Sequence, residues 1–177
     1  DTINYIPPRV KIEISCLSMD EPTELRQIRS LIGESFDGED TDADSLARTV
    51  VPTRTFLEKL FLLAEEFQKE KPRSVRMSRH LYDLAKLMDT EYGVEALSNR
   101  TLYDAIVEHR KAYYALKYVN YDLHAPSTIN FTIPESVIGA WQDDYTDMKR
   151  FFIYGESLEF EALMQKMKEL QERVKIL

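Results

Sequence analysis

The sequence is poor in the residues that build several common kinds of site. Its single cysteine, Cys16, excludes an internal disulfide, and its three histidines, His80, His109 and His124, offer no Cys/His zinc spacing. No apolar run approaches the ~20 residues of a membrane helix, and the first residues lack a basic segment followed by an apolar signal core. A soluble, cytoplasmic protein with no membrane partner is the expectation. Positive charge is also scarce: 23 Lys and Arg face 31 Asp and Glu, for a net charge of −8. That balance argues against a broad basic surface meeting nucleic-acid phosphates, although it leaves room for a local basic cleft. The P-loop, the dinucleotide fingerprint and the H-E-x-x-H motif are absent, and Ser, Cys and His form no recognisable nucleophile constellation.

What is present is enough apolar content, 44% of 177 residues, to bury a core. Val10, Ile12 and Ile14 alternate with Lys11, Glu13 and Ser15, the period of a half-buried strand that turns Glu13 away from the core. Leu25, Ile28, Leu31 and Ile32 after Pro22 have the spacing of a short helix, and 33–45 reads as an acidic loop. Within it Asp40, Asp42 and Asp44 mimic the start of a calcium loop, but Ser45 and Val51 occupy the positions of its turn glycine and bidentate glutamate. A short strand at 49–51 then precedes Pro52. Thr55 and Glu58 match a T-x-x-E capping box for a helix with core residues Phe56, Leu60, Leu63 and Phe67. Ser78 is placed to cap the next helix, and Gly93 to end it in a left-handed cap.

A third helix begins at Ser98 or Asn99, an irregular connection covers 120–134, and Pro134 suits the first turn of a fourth helix carrying Trp141, Tyr145 and Met148. Gly155 breaks it, and Leu163, Met167, Leu170, Val174 and Leu177 then recur in heptad-like steps. The order, a little strand followed mostly by helix, predicts an α+β fold that is mostly α.

Three groups of residues stand out as candidates for chemistry, and each has a plain alternative. Lys59 sits among Phe56, Leu62 and Leu63 in the first turns of its helix, where a cation is mildly disfavoured by the dipole. Either it snorkels, its stem over Leu63 and its ammonium toward Glu66 or water, or it is held there for function. Asp83 lies between Arg79 and Lys86 at helical spacings, which fits an ordinary surface ion-pair ladder or a site carboxylate. Arg73, Arg76 and Arg79 form a basic link suited to phosphate oxygens, or simply solvated cations.

The runs Arg54-Thr-Phe-Leu-Glu-Lys59-Leu-Phe-Leu-Leu-Ala-Glu-Glu-Phe67 and Arg76-Met-Ser-Arg-His-Leu-Tyr-Asp83-Leu-Ala-Lys-Leu-Met88 resemble the abortive-infection nucleotidyltransferase toxins of the AbiEii/AbiGii type. The strand 10–15 and the segments at 141–145 and 152–155 are similar to the same family, so the likeness covers nearly the whole chain. It implies a remnant of a polymerase-β-like nucleotidyltransferase sheet in 1–52, followed by a helical C-terminal region of about five helices in 53–177. It also implies a bacterial toxin–antitoxin or phage-defence protein that moves a nucleotide from a nucleoside triphosphate to an acceptor, such as tRNA or another RNA. Mg2+ would be the cofactor, and an antitoxin protein a partner.

On this resemblance Lys59 and Asp83 match catalytic positions: Lys59 would hold the triphosphate together with Arg76 and Arg79, and Asp83 would orient that lysine or the acceptor hydroxyl. Glu13 would be a metal carboxylate. The family's Gly-Ser turn and its metal-binding aspartates belong upstream of Val10 and have no match in this chain. The expectation is therefore a C-terminal portion that is inactive alone. The other reading is a non-catalytic helical module that docks through its heptad-like last helix on an antitoxin or a second copy.

Overall fold

The computed structural model describes Ile12, residues 23–36, Gly38 and residues 44–177. The expected strand at 10–16, with Glu13, lies outside them apart from Ile12. The described chain is mostly helical with one small antiparallel sheet, in the order β1 (Thr23–Arg29), α1 (Leu31–Ser35), β2 (Asp44–Val50), α2 (Pro52–Glu66), α3 (Ser78–Leu87), α4 (Glu91–Ala96), α5 (Arg100–His109), α6 (Ile138–Phe151) and α7 (Phe160–Lys175).

Strands β1 and β2 pair from Thr23 opposite Val50 to Arg29 opposite Asp44. This corrects the helical reading of Leu25 and Ile28. Their three-residue spacing mimics a helix, but hydrogen bonding to β2 decides the backbone, and only Leu31 and Ile32 of that set are helical. Ser30 separates the two elements by accepting a hydrogen bond from Gly33 N as the N-cap of α1.

Helix α2 is central and packs against α3, α4 and α5, while α3 also meets α6 and α7. It starts at Pro52, whose missing N–H costs nothing in a first turn. Thr55 is therefore already inside the helix, and the T-x-x-E capping box does not form. Phe56, Leu57, Leu60, Phe61 and Leu63 are fully buried; each such side chain stabilises by about 1.5–3 kcal/mol. Trp141 and Tyr145 of α6 and Leu163, Leu170 and Val174 of α7 complete the same core. The heptad-like stripe of α7 is thus covered by its own bundle. Gln171, from the same helix, accepts from Phe131 N and donates to the Ile129 carbonyl, holding 129–131 against α7.

Two further expectations change. Ser78 opens α3 but does not cap it. Asp144 of α6 takes that role, accepting from Ser78 N at 3.0 Å and from the Ser78 hydroxyl. Gly93 is no left-handed cap either, since it lies inside α4. A Cβ there would fall 2.3 Å from the Leu87 carbonyl oxygen, so the glycine lets α4 turn directly onto the end of α3. Farther along, Asn99 caps α5 as expected, accepting from Leu102 N. Helix α5 then widens into a π-helical turn, Arg110–Tyr114, that closes on left-handed Ala115 (φ 44°). No helix among the described residues is long and apolar enough to cross a membrane.

Candidate active site

The seam between α2 and α3 brings two of the sequence candidates together. The wide apolar face of α2 leaves Lys59 at its border, and the buried Leu81 and Leu84 of α3 leave Asp83 at theirs. Where the borders meet, Lys59 Nζ lies 2.7 Å from Asp83 Oδ2, the side chains 23% and 36% exposed. Lys59 therefore reaches across to α3 and not to Glu66. Asp83 pairs with Lys59, while Lys86 lies over the Tyr82 ring.

His80, one helical turn before Asp83, lies beneath this pair. It is 7% exposed, its Nδ1 has no hydrogen-bond partner, and Arg79 Nε approaches its Nε2 at 3.5 Å. Burial, reinforced by the positive charges of Lys59, Arg79 and Arg73 and only partly opposed by Asp83, pushes its pKa down to about 4. A neutral imidazole at pH 7 follows. That four charged side chains act on one ring shows how closely the cationic link approaches the Lys59–Asp83 seam.

Two buried carboxylates shape the link. Glu66, at the end of α2, accepts from Arg73 N at 2.8 Å, from Arg73 Nη2 at 2.7 Å and from Lys69 Nζ at 2.8 Å. Burial works to raise its pKa, but the hydrogen bonds from Arg73 and Lys69 outweigh it and hold the carboxyl below its ordinary range. At the other end Asp144 accepts from Arg76 N, where the backbone takes the left-handed conformation (φ 59°) that disfavours a side chain. Arg73 is thus committed to the link itself. Arg79 is exposed on the first turn of α3, and Arg76 is partly buried in the turn before it.

On its other flank α2 carries a charged network that sequence reasoning missed. Arg110 forms paired hydrogen bonds with Glu65, its Nε 2.7 Å from Oε1, and also contacts Glu58, which Arg54 reaches at 2.9 Å. Arg54, Glu65 and Arg110 are each less than 5% exposed. His124 lies in the same place, its Nε2 3.9 Å from Glu65 Oε1, and burial lowers its pKa against the opposing pull of Glu65. The spacing of Arg54, Glu58 and Glu65 hints at one helical face, but nothing local points to Arg110 as their partner.

No group of three or more His, Cys, Asp or Glu able to hold a metal occurs among the described residues, and Asp83 is engaged by Lys59. These residues do not fit a Mg2+ site. Glu13, the expected metal carboxylate, lies outside them. A cavity of about 420 Å³ opens elsewhere, between the end of α2 and the 123–135 connection, lined by Ala64, Phe67, Gln68 and Ile133 among others.

A half-exposed lysine–aspartate pair beside a cationic turn, on a mostly helical α+β frame, is an arrangement suited to binding anions. The family model of the nucleotidyl transferase AbiEii toxin, of type IV toxin–antitoxin systems, matches residues 2–166, and the chain belongs to that family. Comparison with curated proteins and with solved structures gives no match.

Proposed function

We propose that the protein acts in nucleotide transfer from a nucleoside triphosphate to an acceptor hydroxyl, with an RNA such as tRNA as the acceptor. The observation that carries this reading is the 2.7 Å Lys59–Asp83 pair at the α2–α3 seam, in a chain of the nucleotidyl transferase toxin family. Lys59 is the triphosphate-binding cation. Asp83 is a positioning residue that holds its ammonium at the seam and delivers it to the phosphates as charge develops there. Arg79 and Arg76 supply further donors of the kind that grip phosphate oxygens. His80 stays neutral, so it adds no repelling charge to Lys59, and its Nε2 accepts from Arg79 Nε.

Mg2+ is the metal such chemistry uses, and the described residues do not fit it. Residues 1–52 belong in this reading to the catalytic sheet and 53–177 to the helical region carrying Lys59 and Asp83. A cytoplasmic toxin with an antitoxin partner, serving phage defence in bacteria, is the setting that agrees with the family.

The test is transfer of label from radiolabelled nucleoside triphosphates to cellular RNA by the full-length protein. Lys59→Ala is expected to abolish labelling and Arg79→Ala to weaken triphosphate binding. Undiminished labelling by Lys59→Ala would remove the lysine from the mechanism.

A further inference from the structure

We infer that the ridge formed by the α2–α3 link and the turn after α5 binds a single-stranded nucleic acid, Tyr113 and Tyr118 stacking on bases and Lys71, Lys111 and Lys117 meeting phosphates. The inference deepens the proposed function by giving its acceptor a surface, and the basic link that forms half the ridge runs on to Arg79 and the Lys59–Asp83 seam.

The backbone of the turn is built for display. Helix α5 widens into its π-helical turn where Arg110 is drawn inward by Glu58 and Glu65, and such π segments recur at functional sites. Arg110 also lies over the Tyr114 ring, 4.5 Å from its centroid. Tyr113, in contrast, is 66% exposed, with one face stacked on His109 at 4.7 Å and 27°. Beyond left-handed Ala115, Tyr118 is 44% exposed, with Lys69 Nζ 5.2 Å from its ring centroid. Asn120 N donates to Gln68 Oε1 at 2.7 Å, tying the turn to the start of the link. Two tyrosines exposed at the surface of one small ridge are out of place as core and well suited as stacking platforms.

The charge of the ridge runs against that of the molecule. In a chain of net charge −8, residues 69–79 contain five cations and one acid, and residues 109–121 expose Lys111 and Lys117 with no acid, Arg110 being buried against Glu58 and Glu65. Buried Glu66 is shared by Lys69 and Arg73, so one carboxylate stands under two cations. Asp122 approaches Lys111 only at 4.0 Å, both side chains largely exposed, a contact that phosphate readily replaces. Exposed aromatic rings between lysines favour a strand with unpaired bases over a duplex, whose bases offer no free face.

The experiment is fluorescence anisotropy of the full-length protein with a labelled oligouridylate of about 12 nucleotides, a length within the range of single-strand sites. A duplex of equal length and an acidic polypeptide serve as competitors. Tyr113→Ala and Tyr118→Ala are each expected to weaken binding by about fivefold to a hundredfold, and Tyr118→Phe to retain it. Lys117→Gln is expected to lower the slope of affinity against salt by roughly 0.7. Parental affinity in the Tyr113→Ala/Tyr118→Ala protein overturns the inference, and so does equal competition by duplex or by polyglutamate. Both tyrosines are exposed, so an unaltered circular dichroism spectrum is expected for each variant. The oligonucleotide reports on this ridge alone and labelled triphosphate on Lys59, so the two readings fail separately.

Discussion

The two flanks of α2 hold charge in opposite ways. On the α5 side, Arg54, Glu65 and Arg110 are buried beside His124, with Glu58 closing the network at its edge. On the α3 side a single pair, Lys59–Asp83, lies at the solvent edge with a neutral histidine under it. Desolvation makes the first arrangement costly to break, because removing one partner strands a buried charge. Water screens the second, so its contribution to stability is small and its ammonium can exchange one anion for another. A charge that must stay put is buried with its partner, whereas one that must meet a ligand is left at a seam.

The sharpest way to break the comparison is to cut the buried side. Arg110→Ala strands buried Glu65, while Glu58 keeps Arg54, and is expected to cost about 3–5 kcal/mol in urea unfolding. Replacing Arg110 and Glu65 together by Met and Leu should recover much of that loss, since apolar side chains of similar volume need no partner. A loss below about 1 kcal/mol for Arg110→Ala would mean that water already reaches the network.

The histidine beneath the seam provides the next largest effect. His80 has a folded-state pKa of about 4, against an unfolded value near 6.5. Between these values the unfolded chain binds the proton that the native protein refuses. Stability from His80 is therefore full above pH ~6.5 and falls as pH drops toward 4, by about 3 kcal/mol in all. His80→Gln should flatten that part of the stability–pH curve, and Lys59→Gln should raise the His80 pKa as read by NMR titration. An unchanged curve in His80→Gln would show that the imidazole titrates freely. A smaller loss, about 2 kcal/mol, is expected in thermal unfolding of Asp144→Ala, which removes a charged acceptor from Arg76 N and from the Ser78 amide and hydroxyl.

How much of this was legible in the sequence follows from how far apart the interacting residues lie. The stripe of α7 and the cap at Asn99 are set by residues within a few positions, and both are found where expected. Lys59 was visible as an uneasy cation on a helix face and Asp83 by its spacing only as one acid of an ion-pair ladder, and their contact depends on how two helices pack. Arg110 and Glu65 are 45 positions apart and Asp144 and Ser78 are 66, and no local pattern marks either pair. Where local patterns misled, a neighbour had decided otherwise. Leu25 and Ile28 follow strand pairing, Thr55 falls inside a helix begun by Pro52, and Gly93 answers to the crowding of Leu87 and Met88.

The smallest effect on stability is expected at the seam itself, and there the comparison is decided. Lys59→Ala and Asp83→Ala should each change unfolding free energy by less than about 1 kcal/mol, with a double-mutant coupling of about 0.2–1 kcal/mol that shrinks in high salt. If Lys59 meets developing phosphate charge, its removal should lower label transfer by about a hundredfold or more. Asp83→Asn, which keeps a hydrogen-bond acceptor but no charge, should fall between Asp83→Ala and the parent. A large loss of transfer with almost no loss of stability is the signature of a charge kept at the solvent edge for a ligand. If Lys59→Ala destabilised the protein as much as Arg110→Ala, the two flanks of α2 would be alike and the seam a second structural lock.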